Sequence, residues 1–263
     1  MLDRMNVREY DQVVSLYTKE KGRLDVLARG VKKITSKNSS NAEPGSCIIA
    51  EIVQGKEWSH LIKVQPVDSF RGVRSDFYKS LAVQYAISFL KKVTHVGQCD
   101  EKLFSLLLSF LYFLDTNEIS KYATLLDAYV VNSLGGLGVA PQLSACVVCG
   151  MQAREIVKHE LADAQNMSGL YFMGGGIVCG DCALKKRNVG ERVDDLGTVK
   201  LYNIQRILDV EWRMVELLDI PGNELGDVHN LVYEYACYHI EKKLINWEAW
   251  FDKGVRRVDK SIA

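Results

Sequence analysis

Ser75-Asp76-Phe77-Tyr78-Lys79-Ser80-Leu81-Ala82-Val83-Gln84-Tyr85-Ala86-Ile87-Ser88-Phe89-Leu90-Lys91-Lys92-Val93 is where the hydrophobic period of this chain changes. Tyr78, Leu81, Ala82, Tyr85, Ala86, Phe89, Leu90 and Val93 recur at i, i+3, i+4 and i+7, the spacing of one helix face. Ser75-Asp76 stands at the N-cap position, where a short polar side chain accepts from first-turn amides. Upstream the period is two. Val13 to Thr18 is rich in β-formers and runs into Lys19-Glu20-Lys21-Gly22, where glycine suits a hairpin position of positive φ. Arg23 to Val31 then alternates, with Leu24, Val26 and Ala28 on one face. Thr35 to Asn41 has loop composition, and Cys47–Gln54 and His60–Val67 form a second strand pair around Gly55-Lys56-Glu57-Trp58. Short strands with closely spaced turn signals predict a small barrel.

Downstream, helices are predicted near 102–115, 119–134, 198–218 and 226–248. Gly135-Gly136 stops the second of these, and Pro221-Gly222 separates the last two. The densest apolar run, Leu103 to Leu114, is shorter than the roughly 20 residues a bilayer span needs. It reads as a core helix. The expected class is α+β: a barrel over 1–74, then an all-α domain over 75–263, with an insertion at about 142–189.

That insertion carries Cys146-Val147-Val148-Cys149 and Cys179-Gly180-Asp181-Cys182, with 29 residues between the pairs. Two Cys-x-x-Cys turns at this spacing suit one tetrahedral zinc ion, each turn supplying one edge. With all four positions filled by thiolates, no site remains for an activated water, so the ion would hold structure. Gly169–Phe172 and Gly176–Val178 read as the hairpin bearing the second pair. The other cysteines, Cys47, Cys99 and Cys237, have no near partner and read as small buried apolar residues.

Net charge is zero, yet residues 1–80 carry 14 Lys/Arg against 10 Asp/Glu. Between Lys19 and Lys37 seven basic residues face two acidic ones. Lys19, Lys21, Arg23, Arg29, Lys32, Lys33 and Lys37 are therefore the candidate phosphate contacts, because cations along a groove bind polyanions through counterion release. Trp58 and Tyr17 are candidate platforms for base stacking. No catalytic constellation accompanies them. His159-Glu160 lies between the knuckles at the wrong spacing for a zinc deaminase. Gly174-Gly175-Gly176 and Gly135-Gly136-Leu137-Gly138 lack the Lys-Ser/Thr of a phosphate loop. Asp194-Asp195 lies in polar loop sequence and reads as solvated. Met1-Leu2-Asp3-Arg4 does not read as a secretory leader, so a cytoplasmic, non-enzymatic protein is expected.

The order of parts resembles the RecO family of bacterial recombination mediators. Tyr10 to Gly22 is similar to the family's strand–turn entry, and Ala28-Arg29-Gly30-Val31-Lys32-Lys33 to the end of its basic strand. Leu134-Gly135-Gly136-Leu137-Gly138-Val139-Ala140-Pro141-Gln142-Leu143, running into Cys146-Val147-Val148-Cys149-Gly150, carries the most specific likeness. Gly175-Gly176-Ile177-Val178-Cys179 with Cys182 completes it. The resemblance implies an OB-fold barrel and a helical domain bearing a zinc ribbon. It further implies binding of single- and double-stranded DNA, strand annealing, and help in loading RecA onto coated single strands. RecR and the single-stranded DNA-binding protein would be partners. Two features depart from the pattern. The chain opens near the end of what is usually a full apolar strand, so either its start is misassigned or the barrel lacks part of an edge. Leu126-Asp127-Ala128-Tyr129 stands where an aromatic–Glu pair is common. Without the resemblance, a zinc-stabilised adaptor binding protein or RNA is the competing reading, and a zinc hydrolase or deaminase a weaker third.

Overall fold

The computed structural model describes residues 1–33, 43–208, 210–247 and 249–250. The chain divides into two compact units, Met1–Ile119 with the segment from Trp247, and Ser120–Asn246. The architecture is α+β: an N-terminal β-sheet region followed by helices.

In the first unit, β1 (Asp3–Asn6), β2 (Gln12–Thr18), β3 (Gly22–Ala28), β4 (Cys47–Val53) and β5 (His60–Asp68) form one sheet in the order β1-β2-β3-β5-β4. All neighbours are antiparallel except β3 and β5, an OB-like arrangement. The β2–β3 register sets Val14 opposite Val26 and Leu16 opposite Leu24. Alternation then sends Val14, Leu16, Val26 and Ala28 inward, where they meet Val31, Leu61 and Val64. Gly22 adopts φ +61, as the hairpin requires, and a Cβ there would lie 1.7 Å from the Gln98 carbonyl oxygen.

β1 and β4 end the sheet order. The residues just ahead of them are joined by two backbone bonds: Met1 N donates to Ser46 O (2.8 Å) and Gly45 N to Met1 O (3.0 Å). β1 spans four residues and β4 seven.

The strand-to-helix switch is built on Phe70, which takes a left-handed conformation (φ 48). The cost, about 1–3 kcal/mol for such a residue, is offset by its buried ring against Tyr112 and by its amide donating to Asp68. α1 (Arg71–Ser75), α2 (Phe77–Val93) and α3 (Glu101–Thr116) follow. The Asp76 carboxylate caps α2 by accepting from Lys79 N at 2.9 Å, and Asp100 caps α3 in the same way. The predicted stripe of α2 is buried from Leu81 to Val93. Leu103, Leu107, Phe110, Leu111 and Leu114 form the buried stripe of α3, each worth about 2–3 kcal/mol when fully covered.

In the second unit, α4 (Tyr122–Gly136) is buried from Thr124 to Val131 and again at Ser133 and Leu134, so it is covered on nearly every side. The cysteine module follows: α5 (Ala153–Ala162), β6 (Gly169–Tyr171), β7 (Gly176–Val178), α6 (Gly180–Asn188) and β8 (Val193–Asp195), with sheet order β7-β6-β8. α7 (Gly197–Leu208) and α8 (Gly222–Ile240) then pack on α4. Buried His229 Nδ1 lies 3.0 Å from Asp127 Oδ1, tying α8 to α4. Leu126 to Tyr129 are all core, so this segment offers no surface to a partner.

Four expectations are corrected here. Asp194-Asp195 belongs to β8, where Asp194 pairs with Arg192 and Asp195 with Arg187. The helix predicted over 198–218 ends at Leu208, and a separate 3₁₀ turn spans Trp212–Leu217. That turn lets Glu216 accept from Ser120 N, Ser120 Oγ and Lys121 N, capping the start of α4. The helix predicted over 226–248 starts earlier and ends at Ile240, because Glu241 takes a left-handed cap. Finally, Cys99 is exposed and Cys47 and Cys237 are half-buried. No described helix is long and apolar enough to cross a membrane.

Candidate nucleic-acid interface and metal centre

The four cysteines converge. Their sulfurs all lie within 4.8 Å of one another, with Cys149 Sγ to Cys179 Sγ at 3.7 Å and no disulfide among them. A tetrahedral zinc with bonds of about 2.3 Å sets its sulfurs about 3.8 Å apart, so the cage fits the ion. The backbone explains the convergence. Gly150 N donates to Cys146 O and Cys146 N to Met151 O, which closes the first turn. Val147 N reaches Ile177 O, fastening that turn to β7. Cys179 is the N-cap residue of α6 and Cys182 lies in its first turn, where the helix dipole favours thiolate. Burial pushes the Cys146 thiol up, but backbone amides of Cys149, Cys179 and Val148 outweigh it and bring it to about 7. Burial holds Cys179 and Cys182 up, and neighbouring thiols add to it at Cys182. Among the described residues no histidine or carboxylate joins the group; His159 is exposed on α5.

The basic residues do not form one stripe. Lys19 and Lys21 sit on the β2–β3 turn, and Lys19 pairs with Glu101 at 2.8 Å. Arg23 leaves the set. Its guanidinium donates to the carbonyls of Lys91 (2.8 Å) and Thr94 (3.4 Å) at the C-terminus of α2 and faces Asp25. A cation is well placed there against the helix dipole, and it is turned away from solvent. Arg29, Lys32 and Lys33 are exposed after β3, eight or more residues beyond Lys21, or about 26 Å along an extended strand. Lys37 lies outside the described residues.

The Arg29–Lys33 end of β3 gathers other groups. Lys32 N donates to Tyr10 O, and Gly30 N to Asp11 Oδ1, docking the β1–β2 turn. Leu27 N donates to Ser59 O, docking the β4–β5 turn. Exposed Arg8 and Tyr10 from the first turn and Lys56 and Trp58 from the second therefore share a rim with Arg29, Lys32 and Lys33. Lys33 Nζ stands 5.7 Å from the Tyr10 ring centre. Trp58 is 47% exposed, while Tyr17, the other aromatic candidate, is 6% exposed and stacks on Phe104. Tyr17 is a core residue. Glu9, Asp11 and Glu57 share the rim, leaving it positive by two charges. Arg8, Tyr10 and Lys56 were missed because no run of basic residues marks them. In an OB-like fold, the β1–β2 and β4–β5 turns flank the ligand face, and that topological rule would have singled them out.

The family profile described as Recombination protein O N terminal matches residues 1–70, and that described as Recombination protein O C terminal matches residues 74–248. The chain belongs to the recombination protein O family. Among relatives of this recombination protein O chain, the DNA repair protein RecO of Symbiobacterium thermophilum is 26% identical over 241 residues, covering 91% of this chain and 89% of its own. That of Desulforamulus reducens is 25% identical over 246 residues, covering 93% and 89%. That of Anaeromyxobacter dehalogenans reaches 28% over 186 residues, covering 70% and 68%. The family profiles meet between residues 70 and 74, whereas the compact units divide at Ile119. Contacts such as Arg23 to Lys91 and Tyr17 to Asp100 hold α2 and α3 in the unit of the sheet.

Proposed function

We propose that this recombination protein O chain acts in DNA repair as a recombination mediator, binding DNA without performing chemistry on it. One observation carries the reading: two sheet turns and the end of β3 bring Tyr10, Trp58 and five cations to one rim. A single strand laid there places phosphates against Arg8, Arg29, Lys32, Lys33 and Lys56, and bases against the two rings. Stacking is worth about 1–3 kcal/mol per base and tolerates any sequence, as annealing demands. Annealing needs neutralisation of two polyanions held side by side, and no nucleophile. Duplex binding, help in loading RecA onto coated single strands, and partnership with RecR and the single-stranded DNA-binding protein complete the role, in the cytoplasm.

The cysteine module is a zinc ribbon in this reading. Cys146, Cys149, Cys179 and Cys182 would hold one structural Zn²⁺, which cross-links the two turns and supplies no reactive water.

The test is annealing of complementary oligonucleotides by the full chain, compared with Trp58→Ala and Tyr10→Ala. Both rings are exposed, so the variants should melt as the parent does. The expected result is single-strand affinity lowered roughly 5- to 100-fold per ring that stacks a base, with slower annealing. A parent that neither binds nor anneals, or variants that match it, would overturn the proposal.

A further inference from the structure

The second unit carries a groove of about 430 Å³ between the end of α5, the start of α7 and the start of α8. Its apolar part is exposed: Leu161 at 76%, Val199 at 53% and Met167 at 39%. Leu161 projects from the last turn of a helix whose carbonyl end is itself negative.

Its charged part is one-sided. Glu160, Asp195, Glu224 and Asp227 line the groove against a single cation, Lys200. Lys200 pairs with Asp227 and Arg187 pairs with Asp195. Among the described residues, Glu160 and Glu224 accept only from neutral donors: Thr198 N and Ser168 Oγ for the first, Asn203 Nδ2 for the second. The groove is therefore negative by two charges after its ion pairs are counted, on a chain whose net charge is zero. The Glu160 carboxylate also occupies the amide end of α7, which removes the feature that would attract an anion.

We propose that this groove docks a cationic amphipathic helix of a protein partner, with apolar side chains on Leu161, Val199 and Met167 and Lys or Arg heads toward Glu160 and Glu224, whose charges no described cation offsets. Charge complementarity decides the class of occupant. A polyphosphate is repelled, and a neutral apolar peptide leaves the carboxylates unmatched. The groove belongs to the second unit and the basic rim to the first, and the inference does not depend on the DNA-binding reading.

The test is fluorescence anisotropy of the full chain with a labelled Leu/Lys amphipathic peptide of about 18 residues, long enough to hold a helix. The same residues in scrambled order and a Leu/Glu counterpart serve as comparisons. Saturable binding of the Leu/Lys peptide is expected, weakened about tenfold or more by Leu161→Ser and by Asp227→Lys, with no binding of the Leu/Glu peptide. Both substitutions fall on exposed side chains; should one variant lose its cooperative melt, the other alone decides. Equal binding of the scrambled peptide, or variants that melt and bind as the parent does, would overturn the assignment.

Discussion

Reversing two charges at the rim, Lys32→Glu with Lys33→Glu, has an effect that the proposed phosphate contacts fix in advance. Five rim cations in phosphate contact predict a log–log salt slope of about −3.5 for single-stranded DNA, taking about 0.7 per contact. Affinity then falls on the order of 100-fold between 50 and 200 mM salt. Removing two contacts flattens the slope to about −2, and the same salt step costs only about 20-fold. Both lysines are exposed in the turn after β3 and their side chains make no ion pair among the described residues, so the sheet should survive. The assay is anisotropy of a labelled oligonucleotide across a salt series, with thermal melting to confirm the fold. The same reversal at Lys19 and Lys21, some 26 Å away along β3, should leave the slope little changed. An unaltered slope for the rim variant, or equal flattening by the hairpin variant, refutes the placement of the interface.

Removal of the metal cage has a different signature. Cys149→Ser should abolish stoichiometric zinc by metal analysis and unfold the cysteine module, since structural zinc sites carry on the order of 10 kcal/mol of apparent binding energy. Because the ligands must be thiolates, protons compete with the metal, and zinc should be released as pH falls. Gly22→Ala meets both a positive φ and the Gln98 carbonyl, so denaturant titration should show a loss of about 2 kcal/mol or more. Burial pushes the Glu216 carboxyl up, but the hydroxyl and amide of Ser120 and the amide and charge of Lys121 outweigh it and hold it low. A depressed carboxylate stabilises the fold above its unfolded value, and that contribution is lost as pH falls through the folded value. Glu216→Gln should therefore lower the melting temperature at pH 7 and flatten its decline on the acid side.

What the sequence disclosed was whatever depends on neighbours along the chain. The α2 stripe from Leu81 onward, the Asp76 cap, the Gly22 hairpin and the alternation of β3 are local, and each is kept in the fold, while Tyr78, at the head of the predicted stripe, is exposed. The two cysteine turns are local as well; their meeting needed only a hairpin that Gly175 (φ 69) permits. What stayed hidden depends on partners far away in sequence. Arg23 and Lys21 look equivalent in the sequence, yet α2 offers carbonyls to one of them 68 and 71 residues later. Tyr17 looks as available as Trp58 until Phe104 covers it. The break after Leu208 has no glycine or proline to announce it, because the acceptor it positions, Glu216, serves a helix start 95 residues upstream.

The same reasoning bears on the DNA interface. Counting cations between Lys19 and Lys37 treats charge as a property of a segment, but a hairpin sends its turn and its two strand ends in opposite directions. The sheet order brings the β1–β2 and β4–β5 turns beside the end of β3, and the rim so formed recruits Arg8 and Lys56, which no basic run contains. A polyanion responds to where charge stands in space rather than along the sequence. The rim, with two exposed rings among its cations, is therefore the stronger candidate than the hairpin. There Lys19 is held by Glu101 and Arg23 by a helix end, and Tyr17, the aromatic of that strand, is buried.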